Sequence, residues 1–192
     1  MRPVEVELLE DALRRKMRIT IGNSREKAHL KIIRNSLRES AKRAHIKGVL
    51  AEALYLEKNP NWGYVGKPNA PQIDVYAWRA GQRRPLGAQI KTHGSADPSV
   101  YAQDMIKDRK APLFFVPDDH VTPLREHWKN QLAGHQTAGR EAEAINAKQQ
   151  LARIRGLGFT TKDLDRSYSR AARFALREQY AGYISIGATA AM

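Results

Sequence analysis

Pro71-Gln72-Ile73-Asp74-Val75-Tyr76-Ala77-Trp78 and Leu86-Gly87-Ala88-Gln89-Ile90-Lys91-Thr92-His93 decide how this chain is read. Both alternate with period two, as strands do. Asp74, Tyr76 and Trp78 share one face of the first, opposite Ile73, Val75 and Ala77. Gln89, Lys91 and His93 share one face of the second, opposite Ala88, Ile90 and Thr92. Ala80-Gly81-Gln82-Arg83-Arg84-Pro85 is the turn between them. One face is thus expected to be apolar and to pack on a helix, and the other to be polar. Aspartate is depleted in strand interiors. An Asp, a Gln and a Lys on neighbouring strands therefore mark a candidate site; the competing reading is the wet face of a hairpin.

Upstream, a long helix is expected from about Arg25 to Glu57, with Leu30, Ile33, Leu37, Ala41, Ala44 and Gly48 as its apolar stripe. Asn23 or Ser24 supplies an N-cap. Lys27, Lys31, Arg34, Arg38 and Lys42 form a basic ridge beside that stripe. Continuing the stripe by one turn from Gly48 reaches Glu52. A carboxylate there is costly unless it is paired or binds a cation; otherwise the helix has reached solvent at that point. A shorter helix, Val4 to Lys16, precedes the long one. Asn59-Pro60-Asn61 stops the long one, and a strand from Trp62 to Gly66 follows.

Downstream, Asp97 to Lys110 reads as a helix and Leu113-Phe114-Phe115-Val116 as a strand stopped by Pro117. Helices are expected at Thr122 to Leu132, Ala138 to Ile154 and Thr161 to Tyr180, with Gly156-Leu157-Gly158 separating the last two. The segment Tyr183-Ile184-Ser185-Ile186 is read as a strand or as disordered. No internal repeat or low-complexity segment stands out.

The bulk properties narrow the class. A chain of 192 residues, 42% hydrophobic and 28% charged, is long enough for one sizeable core. It has no cysteine, which excludes disulfides and thiolate metal sites. His120, His127 and His135 lack the short spacing of a helical zinc site. There is no phosphate-cradling glycine loop and no Gly-x-Ser-x-Gly elbow. No apolar run suits a membrane span and no secretory leader is read at the start, so the expected location is cytoplasmic, with no membrane partner. Thirty-three Lys and Arg against 20 Asp and Glu give a net charge of +13. That excess points to a polyanionic partner, nucleic acid first.

A carboxylate late in a helix, an Asp on one strand and a Gln-x-Lys on the next make a metal site beside a cation, the arrangement that hydrolyses phosphodiesters. Here the chain resembles the PD-(D/E)xK nuclease superfamily. Pro71-Gln72-Ile73-Asp74 followed by Gln89-Ile90-Lys91 is similar to its signature, with Gln in place of the usual acid, as in Mrr-type restriction endonucleases. Gly48-x-x-x-Glu52 resembles the first motif of archaeal Holliday-junction resolvases. The resemblance covers roughly the middle half of the chain. It implies an α/β, restriction-endonuclease-like core, ordered helix, three strands, helix, strand, with further helices at both ends. The implied domains are a helical extension at 1–24, the nuclease core at 25–119 and a helical extension at 120–192.

The resemblance also implies roles. Glu52, Asp74, Gln89 and the Ile90 carbonyl are the expected ligands of Mg²⁺, with Mn²⁺ as its substitute, because hard oxygens suit both ions. Lys91 orients or activates the attacking water. Gln89 supplies a neutral oxygen where a carboxylate is usual, so weaker metal affinity is expected and Glu52 gains importance. DNA is the implied substrate, with RNA the other polyanion, and a homodimer follows from the need to cut two strands. Lys31, Arg34, Arg38, Lys42 and His93 are the expected nucleic-acid contacts, with Arg166, Arg170 and Arg173 from the C-terminal stripe. That stripe, which continues to Arg177, also reads as the wet side of a packed helix. The rival reading is a non-catalytic, basic nucleic-acid-binding or architectural protein, and a toxin-like effector nuclease is a third. If about six phosphates are contacted, log affinity for DNA falls against log salt with a slope of about −5. A near-flat slope in a filter-binding or anisotropy titration removes the basic ridges as a DNA surface.

Overall fold

The structure, a computed structural model, describes residues 4–16, 40–64, 73–77, 86–108 and 111–189. In chain order the described elements are α1 (Val4–Lys16), α2 (Ser40–Lys58), β1 (Trp62–Tyr64), β2 (Val75–Ala77), β3 (Leu86–Ile90), α3 (Pro98–Lys107), β4 (Leu113–Val116), α4 (Asp118–Thr137), α5 (Glu141–Arg153), β5 (Ile154–Gly156) and α6 (Thr161–Thr189). The protein is α/β. It divides into two compact units: Met1–Leu54 with Lys162–Met192, and Tyr55–Thr161.

The second unit is built on a sheet ordered β1-β2-β3-β4-β5. β1, β2 and β3 are antiparallel, with Tyr64 opposite Val75 and Val75 opposite Ala88. β3 and β4 are parallel, with Gln89 beside Phe114. β4 and β5 are also parallel, with Phe114 beside Ile154. Parallel neighbours require crossovers, and these are α3 and the α4–α5 pair. Asp97 starts α3: its Oδ1 accepts the Ser99 N–H at 2.9 Å, and Pro98 sets the first helical φ. Those bonds from Ser99 hold the Asp97 carboxyl below its ordinary pKa.

Both sheet faces are covered. On one, Phe114, Val116 and Ile154 pack with Tyr101, Ala102 and Met105 of α3, Leu124 and Trp128 of α4, and Ala147 of α5. On the other, Phe115 meets Tyr55 at 4.7 Å and Trp62 at 5.7 Å between ring centroids. Burial pushes the Tyr55 hydroxyl up to about 12. This corrects the expectation of one apolar and one polar face. Gln89 lies in register with Phe114, on the helix-covered side, and is only 6% exposed. Two-sided burial is what parallel pairing imposes, and the short polar strands alone do not reveal it.

β5 is a second correction, because Ile154 was assigned to a helix and Gly156 to a break. Ile154 is fully buried beside Phe114, and the Leu157 N–H continues the ladder to the Val116 carbonyl at 3.0 Å. The helix ends there because Arg153 is turned inward. Its guanidinium donates to the Met105 and Asp108 carbonyls at 3.0 and 2.6 Å and to Gln150 Oε1 at 2.5 Å. Those carbonyls lie at the C-terminal end of α3, where a cation is favourable. Burial lowers the Arg153 pKa, and the nearby Asp108 charge opposes that shift. The Tyr183–Ile186 segment belongs to α6, not to a strand.

The first unit is helical. Val6, Leu9 and Ala12 of α1, Ile46, Val49 and Leu50 of α2, and Leu164 and Ala171 of α6 are buried. Lys47 pairs with Asp165 and sits 5.6 Å from the Tyr168 ring centroid; Arg170 pairs with Glu5 at 3.2 Å. Among the described residues no helix is long and apolar enough to cross a membrane.

A glycine locks the end of the sheet. A Cβ on Gly156 would run into Asp118 Oδ1, the atom that accepts the Gly158 N–H at 3.0 Å. Gly156→Ala is expected to lower unfolding free energy by about 1–3 kcal/mol, as overpacking does. Urea denaturation checks this, and an unchanged midpoint excludes the clash.

Candidate active site

Asp74 immediately precedes β2, and its side chain extends the ladder. The Asp74 N–H donates to the Ala88 carbonyl at 2.9 Å, the last antiparallel bond. Its Oδ2 then accepts the Ile90 N–H at 2.9 Å, where a further strand carbonyl would otherwise stand. The same Oδ2 accepts Gln89 Nε2 at 2.7 Å. A carboxylate is a stronger acceptor than a carbonyl, so the bond it replaces is strengthened. Gly87 permits the close approach that sets this up: a Cβ there would stand 2.9 Å from Ile73 Cδ1.

Gln89 is the unusual member. Its Nε2 is fixed by Asp74, which assigns the amide orientation. Its Oε1 is buried and has no hydrogen-bond partner among the described residues. A buried amide oxygen without a partner costs roughly 1–3 kcal/mol. Such an atom in a native fold calls for an explanation, and a bound cation is one.

Lys91 continues the strand direction, its N–H donating to the Phe115 carbonyl at 3.0 Å. Its ammonium is held by Asp108 of the α3 C-cap, at 3.1 Å from Oδ2. His93, two residues on, is held by Asp104 at 2.8 Å. Asp104 and Asp108 are one helical turn apart, so Lys91 and His93 lie along one edge of α3. The His93 N–H donates to the Tyr101 hydroxyl at 2.9 Å. That hydroxyl meets His120 Nδ1 at 2.6 Å, and His120 Nε2 meets Thr161 Oγ1 at 3.1 Å. If Tyr101 donates, His120 carries its proton on Nε2. Burial pushes the Tyr101 hydroxyl up to about 12, so it stays protonated at neutral pH.

The structure therefore brings Asp74, Gln89 and Ile90 into direct contact and sets Lys91 and His93 against α3. Glu52 is 5% exposed and belongs to the first unit. Lys31, Arg34 and Arg38 lie outside the described residues, as does the side chain of Lys42. Arg166 and Arg170 are exposed on α6 but face acids, Asp163 at 3.8 Å and Glu5 at 3.2 Å. The Arg173 Nε donates to the Ser169 carbonyl at 3.3 Å.

Sequence reasoning missed Asp104 and Asp108. Asp104 and Asp108 were visible as an i, i+4 acidic pair, but their partners come from another element. Among the described residues no group of three or more His, Asp or Glu is placed to share a metal ion. The expected ligand set contains an amide and a main-chain carbonyl, and the oxygens of Asp74 and Gln89 suit a hard divalent cation.

No protein-family model, curated protein or solved structure matches this chain.

Asp74→Ala removes the acceptor for Gln89 Nε2 and the Ile90 N–H and is expected to cost about 1–3 kcal/mol. A double-mutant cycle with Gln89→Ala, read by urea unfolding, is expected to give a coupling of about 0.5–3 kcal/mol. Additive losses mean the two side chains do not share the bond.

Proposed function

We propose that the protein is a divalent-metal-dependent nuclease that hydrolyses DNA phosphodiester bonds at Asp74, Gln89 and Lys91. The observation that carries the reading is Gln89 Oε1, which is buried and has no partner among the described residues, on a side chain whose Nε2 donates to Asp74 Oδ2 at 2.7 Å. Mg²⁺ suits these oxygens, and Mn²⁺ is the expected substitute. The strand order β1-β2-β3 antiparallel, then a helix, then parallel β4, supports a restriction-endonuclease-like core. Glu52 enters this proposal on its sequence position alone.

In this reading Asp74 and Gln89, with the Ile90 carbonyl, would hold the ion, which would supply Lewis-acid activation of water and phosphate there. The Ile90 N–H and the Gln89 amide fix the Asp74 carboxylate before substrate arrives, which saves reorganisation. Lys91 offsets negative charge gathering on the phosphorane. Asp108 keeps the Lys91 ammonium oriented until a phosphate competes for it. The long-range pull on DNA comes from the +13 net charge.

The Lys91–Asp108 ion pair also favours the second reading, a non-catalytic basic nucleic-acid-binding protein in which Lys91 is structural. The two separate in one experiment. Supercoiled, linear, single-stranded and four-way-junction DNA are incubated with Mg²⁺ and with EDTA, and binding is followed in parallel. Nuclease function predicts cleavage with Mg²⁺ only, lost by at least about 10²-fold in Asp74→Ala and Lys91→Ala while binding persists. Binding without cleavage by the wild type sinks the nuclease reading. A Mg²⁺ titration of Glu52→Gln is expected to need more metal for half-maximal cleavage, and equal curves remove Glu52 from the site.

A further inference from the structure

We infer that His93 is the general acid that protonates the leaving oxygen, with Asp104 as its positioning residue. This rests on the nuclease reading and adds to it the group that completes the reaction. Hydrolysis forms a bond from water oxygen to phosphorus and breaks a bond from phosphorus to a bridging oxygen. The water loses a proton and the departing alkoxide needs one. In the proposed site Lys91 would serve the attacking side, and none of the residues assigned a role so far serves the leaving side.

His93 is built for the other side. It follows Gln89 and Lys91 at intervals of four and two residues on the same extended segment. Its Nε2 lies 2.8 Å from Asp104 Oδ2, which orients the ring. Its main-chain N–H is anchored on the Tyr101 hydroxyl, and its ring stands edge-on to Tyr101 with centroids 4.6 Å apart. Its side chain is 31% exposed, and Nδ1 bonds to no described residue. A carboxylate-backed imidazole with one nitrogen to spare is the arrangement that delivers a proton. The attacking water's proton passes to solvent, His93 Nδ1 gives its proton to the leaving oxygen, and His93 regains one from solvent, so charge and atoms balance over a turnover.

The test uses duplex DNA in which sulfur replaces the leaving bridging oxygen, identified beforehand from the product ends. A thiol has an ordinary pKa of about 8.5, so a thiolate departs without a donated proton. His93→Gln keeps a donor toward Asp104 and leaves the strand segment in place. On ordinary DNA it is expected to slow cleavage about 10²-fold, and on the bridging-sulfur DNA less than about threefold, the differential that marks general acid catalysis. Asp104→Asn shows the same pattern with a smaller loss. DNA affinity of both variants, measured by anisotropy in EDTA, falls by far less than their cleavage rate on ordinary DNA. An equal loss on both substrates, no loss on ordinary DNA, or a matching loss of affinity overturns the acid role while Asp74→Ala remains inactive. A wild type that cuts neither DNA, or an Asp74→Ala variant that cuts as well as the wild type, overturns the nuclease reading and the acid role with it.

Discussion

The Asp74 carboxylate closing the end of the β2–β3 ladder is the contact on which the rest of the second unit hangs. An antiparallel pair that stops in mid-sheet leaves the next N–H of the inner strand exposed to a cost of about 1–3 kcal/mol. Asp74 meets that need with a charged acceptor, and the bond fixes the carboxylate in place. Gln89 then has one side to turn, because its Nε2 is drawn to the same oxygen. Its carbonyl oxygen is left buried and without a partner among the described residues. One strand terminus thus creates both a fixed anion and a buried acceptor.

The helix α3 fixes what lies beyond. Tyr101 and Met105 face the sheet and are fully buried, while Asp104 and Asp108 fall along an adjacent edge. The strand segment after Ile90 runs along that edge, and each acid takes one cation from it. Arg153 binds the carbonyls at the same helix end, so the C-terminus of α3 is held by main-chain acceptors as well as by the Asp108 carboxylate. Rotating α3 would break the Lys91 and His93 pairs and the Arg153 contacts together. Positioning therefore comes from packing, with charge supplying direction.

Much of this was legible because it is local. The period-two runs place β2 and β3, Asn59-Pro60 marks the end of α2, and Leu113–Val116 is a strand in both readings. The Asp74–Gln89 contact was legible too, since antiparallel pairing of two neighbouring strands brings these residues, fifteen apart in sequence, side by side. What could not be read is what depends on distant chain. β5 is short and takes its partner from β4, nearly forty residues away, so its helix-like flank won the local argument. The acids that hold Lys91 and His93 come from α3, and no periodicity in the strand points to them. The role of the Tyr101 hydroxyl emerges only because His93 and His120 converge on it.

The charge distribution needs a distinction between local pairing and net field. Arg166, Arg170, Lys47 and Lys91 each face an acid in the described residues, and such exposed or half-exposed pairs contribute little to stability. Pairing does not alter the total, which stays at +13. At distances near the Debye length, about 8 Å at physiological salt, a paired arginine and aspartate cancel each other, and the unpaired excess dominates what a polyanion feels. Approach is then governed by the excess, while the place where a phosphate settles is governed by which pair yields to it. A phosphate carries charge comparable to a carboxylate and more acceptor oxygens, so it competes on favourable terms for an ammonium held by one aspartate. In the proposed reading Lys91, held by Asp108 alone at 3.1 Å, would be the ammonium that a phosphate competes for.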